Sequence, residues 1–273
     1  MTIIDGKKIA AEILECLKAE PKPKKFLAAV LAGESPASIS FLNQKEKTAR
    51  ELGVDFRLYK FSADLSKDQL REEVGKIVAD ENCGGVIVQL PLPNRADERD
   101  VLDAIPSEKD VDVLGARAVG AFHENRNPVL PPSVGVAQEI LSALRSPLSA
   151  STVAVVGAGA LVGKPVAAWL SGKAKEVIVL DAGDDLALLK RADLVVSGAG
   201  VAGLIKPEML KPGALVIDFG YSRANGKISG DFDVSSLQPP TSDLSYTPTP
   251  GGTGPILVAK LFENFYKLNE PQK

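Results

Sequence analysis

Thr152-Val-Ala-Val-Val-Gly157-Ala158-Gly159 begins as a β-branched apolar run and ends in a glycine turn, and Gly163-Lys164-Pro165 opens an apolar helical stretch directly after it. This is the strand, turn and helix order of a nucleotide-binding βαβ unit. Its glycines allow a tight turn and close approach to a pyrophosphate, whose charge rests at the helix N-terminus. The last glycine lies one position later than in GxGxxG, so a plain glycine turn of an α/β protein remains the alternative. Asp181 adds to the dinucleotide reading. It ends the next apolar run, Val177-Ile-Val-Leu180, about twenty residues after the turn, where a carboxylate accepts hydrogen bonds from ribose hydroxyls.

Outward from this stretch, short apolar runs alternate with helical patterns on both sides. Val153–Val156, Val177–Leu180, Leu194–Val196 and Leu215–Phe219 read as strands of a second sheet, preceded by a helix over Val134–Leu144. In the first half, Phe26–Ala32, Val54–Tyr59 and Gly85–Gln89 read as strands. Ile4–Leu17, Ala37–Leu52, Ser66–Ala79 and Ala96–Ile105 read as helices. Such alternation predicts an α/β protein with parallel sheets covered by helices. Between Pro106 and Ser133 Gly, Asn and Pro break the pattern, marking a connection and ligand-binding border. The predicted division is 1–133 and 134–255. After Gly251-Gly-Thr-Gly-Pro255, an amphipathic helix over 256–268 either returns to the first domain or covers its own.

Composition removes several function classes. Lys and Arg number 32 against 35 Asp and Glu, a formal net charge of -3, so no overall attraction to nucleic acid or anionic lipid is expected. Cys16 and Cys83 form no motif, which points to reduced cysteines and a cytoplasmic setting. The start lacks a basic and then apolar leader, and no run is long enough to cross a bilayer. His123 with Asp110 and Asp112 does not have metal-ligand spacing, so no metal is expected.

Five side chains stand out in the first half. Lys45 lies on the helix after the first buried strand, where desolvation would fit it for proton transfer, although most helical lysines face solvent. Phe41 is one turn earlier, suited to stacking on a planar ligand or to core packing. Gln89 ends an apolar strand at the edge where parallel sheets line ligand crevices, or else serves local backbone groups. Asp110 and Asp112 are candidates for binding amino groups.

Several separated blocks resemble the methylenetetrahydrofolate dehydrogenase/methenyltetrahydrofolate cyclohydrolase family: Pro36-Ala-Ser38 through Lys45, Gly85-Val-Ile-Val-Gln-Leu-Pro-Leu-Pro93, Lys109-Asp-Val-Asp112, Val162-Gly-Lys-Pro165, Ile205-Lys-Pro-Glu208, Val216-Ile-Asp-Phe-Gly220 and Pro250-Gly-Gly-Thr-Gly-Pro255. The resemblance implies an N-terminal αβ catalytic domain and a C-terminal Rossmann-like NAD(P)-binding domain facing across a cleft, in a homodimer. It also implies oxidation of 5,10-methylenetetrahydrofolate to the methenyl form, then hydrolysis to 10-formyltetrahydrofolate. A folate enzyme that has lost one step, and a non-catalytic folate- and nucleotide-binding regulator, are the alternatives.

Carried onto matching positions, the resemblance makes Lys45 the catalytic lysine, Gln89 its positioning partner and Asp112 the acid that holds the pterin. Phe41, Pro250, Gly251 and Gly252 complete the substrate site. Gly157, Ala158, Gly159, Val162, Gly163, Lys164, Pro165, Asp181, Gly198 and Thr253 form the cofactor site. Phe41 replaces the family tyrosine, Val113 the glycine after the second aspartate, and Leu114-Gly115-Ala116 a Phe-His-Pro segment. Leu130-Pro131-Pro132-Ser133 only approximates the family's Pro-Cys-Thr-Pro. In the cofactor turn Gly157-Ala158-Gly159 stands for Gly-Arg-Ser, and Asp181-Ala182 for His-Ser. An NADP 2′-phosphate would lose an arginine and meet a carboxylate, so NAD is preferred over NADP, with Arg223 or Lys164 as rescue cations for the latter.

Overall fold

In the computed structural model, which describes residues 2–33, 35–93, 98–144, 147–224, 227–237 and 243–270, the chain divides into two compact units. One takes Met1–Ala10 and Ser133–Leu257, the other Ala11–Pro132 and Val258–Lys273. The expected division keeps the first residues with the N-terminal half, whereas Thr2 and Ile3 pair within the other unit. β1 (Thr2–Ile3) aligns Thr2 with Ser245 and Ile3 with Tyr246, joining the sheet of the unit that contains residues 133–257. The helix expected from Ile4 therefore starts later, as α1 (Gly6–Ala19), with Asp5 Oδ1 accepting from the Lys7 and Lys8 amides.

The unit of Ala11–Pro132 and Val258–Lys273 is built on three parallel strands. β2 (Phe26–Ala32), α2 (Pro36–Leu52), β3 (Phe56–Phe61), α3 (Lys67–Ala79) and β4 (Cys83–Val88) alternate, and the strands lie in the order β3-β2-β4. β2 is buried at every position because both faces are covered. Phe26, Ala28 and Val30 pack with Leu70 and Val74 of α3, while Leu27 packs with Ile87, Phe262 and Phe265. β3 starts two residues later than its apolar run. Gly53 caps α2 with φ 67°, and the Val54 amide returns to Ala49 O at 2.9 Å.

α4 (Glu98–Leu102) is shorter than the 96–105 helix expected; Ala104 and Ile105 close it by turn bonds, and residues 96 and 97 lie outside the described residues. Within the stretch that looks irregular in sequence, α5 (Ala116–His123) is anchored by buried Ala118 and Phe122. Two apolar positions at i and i+4 are too short a pattern to announce a helix.

The other unit follows α6 (Pro132–Leu144) with β5 (Thr152–Val156), α7 (Gly163–Leu170), β6 (Glu176–Leu180), β7 (Leu194–Ser197), β8 (Leu215–Asp218), the hairpin β9 (Ser222–Ala224) and β10 (Lys227–Ser229), and β11 (Ser245–Tyr246). Its sheet runs β1-β11-β8-β7-β5-β6, parallel throughout. The chain leaves β5 for β6 on one side and returns to β7 on the other. This makes the C-terminal ends of β5 and β7 the switch point at which α/β sheets bind ligands. The last helix, α8 (Thr253–Leu268), contributes Leu261, Phe262, Phe265 and Tyr266 to the core around Leu27 and Ile87.

Candidate functional site

The first group of site residues sits at the ends of β2 and β4. Ser35 caps α2 by accepting from Ser38 N, Pro36 opens the helix, and one turn separates Phe41 from Lys45; both are partly buried. Lys45 Nζ donates to Gln89 Oε1 at 3.2 Å. Gln89 is 8% exposed just past β4, with its amide nitrogen donating to Leu90 O at 2.9 Å. With that donor engaged, the carboxamide presents its oxygen to the ammonium.

Asp112 completes the group electrostatically. Burial holds Lys45 below the usual lysine range, opposed by the Asp112 charge, and burial holds Asp112 above the usual carboxylate range, opposed by Lys45. A lysine shifted towards its neutral form can accept a proton and return it. Asp110 is placed differently from its neighbour. It is 1% exposed, and its Oδ2 accepts from Leu114 N at 2.9 Å and Gly115 N at 2.8 Å. Burial pushes it up to about 6. Asp110 thus fastens the turn that carries Asp112. In that turn Val113 adopts φ 56° while 2% exposed, so a β-branched side chain occupies left-handed backbone.

The second group surrounds the switch point. Gly157 has φ 89°, and a Cβ there would come within 2.9 Å of Ala199 N; a Cβ on Gly163 would overlap Gly157 O, and one on Gly198 would sit 2.8 Å from Val162 Cβ. Gly157, Val162, Gly163 and Gly198 are therefore brought together by direct packing of the turns after β5 and β7. Ala158 is partly buried, Gly159 is exposed with open space where a Cβ would stand, Lys164 is exposed, and Pro165 is buried in the first turn of α7. Asp181 is exposed at the end of β6, its amide donating to Asp184 Oδ2 at 2.8 Å. This set fits a dinucleotide: bare backbone and a helix N-terminus for phosphates, and a carboxylate for ribose hydroxyls.

Thr253 is buried and its hydroxyl donates to Asp218 O at 2.8 Å. In the adjoining turn, Pro250 is exposed, Gly251 has φ 106°, and the Gly252 amide donates to Pro248 O at 2.7 Å. These residues belong to the unit of the glycine turn, whereas Phe41, Lys45, Gln89 and Asp112 belong to the other.

Two acids that the sequence alone did not single out lie behind the glycine turn. Asp218 accepts from Gly220 N and Asp231 N on Oδ1 and from Phe232 N on Oδ2, and burial pushes it up to about 6. Asp231 receives the Ser197 hydroxyl and three backbone amides. An acid ending an apolar strand, as Asp218 does, is the signal that marks the first; nothing in the local pattern marks the second.

Two family models match nearly the whole chain: the tetrahydrofolate dehydrogenase/cyclohydrolase catalytic domain over residues 4–112, and the NAD(P)-binding domain of the same family over residues 131–273. The chain belongs to the tetrahydrofolate dehydrogenase/cyclohydrolase family. Among its relatives, the bifunctional protein FolD of an Exiguobacterium species is 35% identical, with 96% of each chain covered. That of Rhodopirellula baltica is 36% identical over 96% of this chain and 95% of its own. A crystal structure of the bifunctional FolD enzyme from Campylobacter jejuni superposes with a TM-score of 0.92 at 31% identity, covering 99% of both chains. The Trypanosoma brucei enzyme, solved with NADP and an inhibitor, gives 0.91 at 29% identity over 98% of this chain and 97% of that one. The family thus assigns the two halves as catalytic and NAD(P)-binding domains, in line with the α/β architecture.

Proposed function

We infer that this chain oxidises 5,10-methylenetetrahydrofolate to 5,10-methenyltetrahydrofolate with a nicotinamide dinucleotide, hydrolyses the product to 10-formyltetrahydrofolate, and prefers NAD to NADP. The observation that carries the chemistry is Lys45, desolvated and held by Gln89 Oε1 beside the Asp112 charge. The bound dinucleotide supplies the hydride acceptor. Loss of hydride leaves a methenyl carbon open to water, and Lys45 relays the proton of the attacking water while Gln89 restrains its nitrogen. Asp112 accepts hydrogen bonds from the pterin, and Phe41 stacks on it without the hydroxyl a tyrosine would bring.

NAD preference rests on the turn after β6. Asp181, Asp184 and Asp185 put three exposed carboxylates in five residues, and Ala158 offers no cation to a 2′-phosphate. An unpaired like-charge contact opposes the phosphate, and each ~1.4 kcal/mol of that opposition is a tenfold preference. Gly157–Gly159, Val162–Pro165, Gly198 and Thr253 line the remainder of the dinucleotide site. Side-by-side dehydrogenase kinetics should give a higher kcat/KM with NAD, and Asp181→Ser should move the ratio towards NADP by about tenfold. A parent enzyme faster with NADP rejects the preference and makes exposed Lys164 or Arg223 the phosphate partner.

A homodimer fits the outer edge strand β3, where Leu58 is 40% exposed; size measured at several concentrations tests it. The net charge of -3 and the free cysteines suit a cytoplasmic enzyme of small molecules rather than of nucleic acid or membranes. Among the described residues no helix is long and apolar enough to cross a membrane.

A further inference from the structure

Asp231 is 0% exposed, and its carboxylate gathers four donors from one turn. Oδ2 accepts from Ser197 Oγ at 2.6 Å, Ala199 N at 2.8 Å and Gly200 N at 3.3 Å, while Oδ1 accepts from Val201 N at 2.8 Å. All four belong to the segment leaving β7, which also carries Gly198 and packs on Gly157. Asp231 is itself held from behind. Its amide donates to Asp218 Oδ1 at 3.2 Å, and its carbonyl accepts from Ile205 N at 2.9 Å. Any buried acid of this kind stabilises its surroundings. This one acts at the C-terminal end of β7, one side of the switch point where the dinucleotide is proposed to bind.

We propose that Asp231 is a positioning residue for the nicotinamide dinucleotide: by binding the Ser197 hydroxyl and the amides of Ala199, Gly200 and Val201, it holds the turn after β7 in the shape that meets the cofactor. The proposal rests on the dinucleotide reading above. An ionised carboxylate is the one short side chain with acceptors on both oxygens. In Asp231→Asn, whichever way the amide is turned, its NH2 faces at least one backbone N–H, so the turn loses part of its anchor while side-chain volume is preserved.

The test compares this variant with Thr247→Val. Thr247 is equally buried and its hydroxyl accepts from Asp218 N at 2.8 Å, so its loss loosens the same interior without touching the turn after β7. NAD affinity measured by calorimetry should fall at least tenfold in Asp231→Asn, with KM for NAD rising more than kcat falls. Amide hydrogen exchange of residues 199–201 in the ligand-free protein should accelerate. Thr247→Val should lower the melting temperature yet leave NAD affinity within twofold of the parent. Equal losses of affinity in the two variants, or unchanged affinity and exchange in Asp231→Asn, overturn the proposal. If Asp231→Asn does not fold, Ser197→Ala removes one donor and keeps the carboxylate; about threefold weaker NAD binding is expected, and parent-like binding overturns the assignment. A parent protein that binds neither NAD nor NADP refutes the dinucleotide reading itself, and with it the role given to Asp231.

Discussion

Asp112 and Asp231 are both withdrawn from water, but their surroundings differ in kind. Asp112 is raised by burial and countered by the Lys45 charge, with no backbone amide among the described residues contributing to its shift. Asp231 is met by three backbone amides and a hydroxyl. A carboxylate saturated by main-chain donors has its geometry settled by the fold and little capacity left for a ligand. A carboxylate balanced mainly by one side-chain cation keeps acceptor positions available, and the cation keeps donor positions. The first arrangement shapes a turn; the second leaves reactive groups prepared for substrate.

That contrast is tested most severely at Lys45. Lys45→Met removes a desolvated ammonium without disturbing a backbone hydrogen bond, so the protein should fold and retain NAD binding. Hydrolysis of supplied methenyltetrahydrofolate should drop on the order of 10³-fold, about 4 kcal/mol of barrier, because proton transfer by a positioned base is lost. The rate is read after subtracting uncatalysed hydrolysis. A folded variant that forms 10-formyl product at the parent rate would show that the Lys45 group is structural after all.

Asp218 should betray itself through pH. Asp218 lies near 6 in the fold against an ordinary 3.8, because desolvation, aided by the charge of Asp231, outweighs the amides it accepts. Between those values the native protein keeps a proton that the unfolded chain releases. Its contribution to stability is therefore greatest below pH 3.8 and declines as pH rises towards 6. Asp218→Asn cannot titrate. Urea unfolding at pH 4.5 and pH 7 should find the parent gaining on this variant at the lower pH by ~2 kcal/mol. A difference independent of pH would mean that Asp218 titrates as it does in the unfolded chain.

How much of this was legible in the sequence depends on whether side chains or backbone carry the signal. The sheets were legible because β2 and β5 are unbroken apolar runs buried on both faces, and Gly157 and Asp181 follow their strands at recognisable distances. The pairing of Lys45 with Gln89 spans 44 positions, so only the family resemblance joined them; spacing could not. Asp110 and Asp112 offer the same chemistry two residues apart, and which one turns inward is decided by a backbone bend that composition does not encode. β1 escaped notice because two residues make no pattern, and Asp231 because backbone amides leave no mark on a sequence.

The smallest effect lies in that bend. Val113 holds φ 56° with its side chain buried, where an L-residue's Cβ crowds the backbone by roughly 1–2 kcal/mol. Replacing it by glycine relieves the strain, but it also removes a buried apolar side chain worth about 1.5–3 kcal/mol and frees the unfolded chain, so Val113→Gly need not be more stable than the parent. Val113→Ala gives the cleaner comparison, since it loses nearly the same side chain and keeps the Cβ. At ordinary backbone positions alanine exceeds glycine by about 0.4–1 kcal/mol. Here the order should reverse, with Val113→Gly more stable than Val113→Ala by ~1 kcal/mol in denaturant unfolding. The normal order, alanine above glycine, would mean that the turn carrying Asp112 is not left-handed in solution. The strain would then vanish from the Lys45 side of the comparison, leaving the two acids distinguished by their hydrogen-bond partners alone.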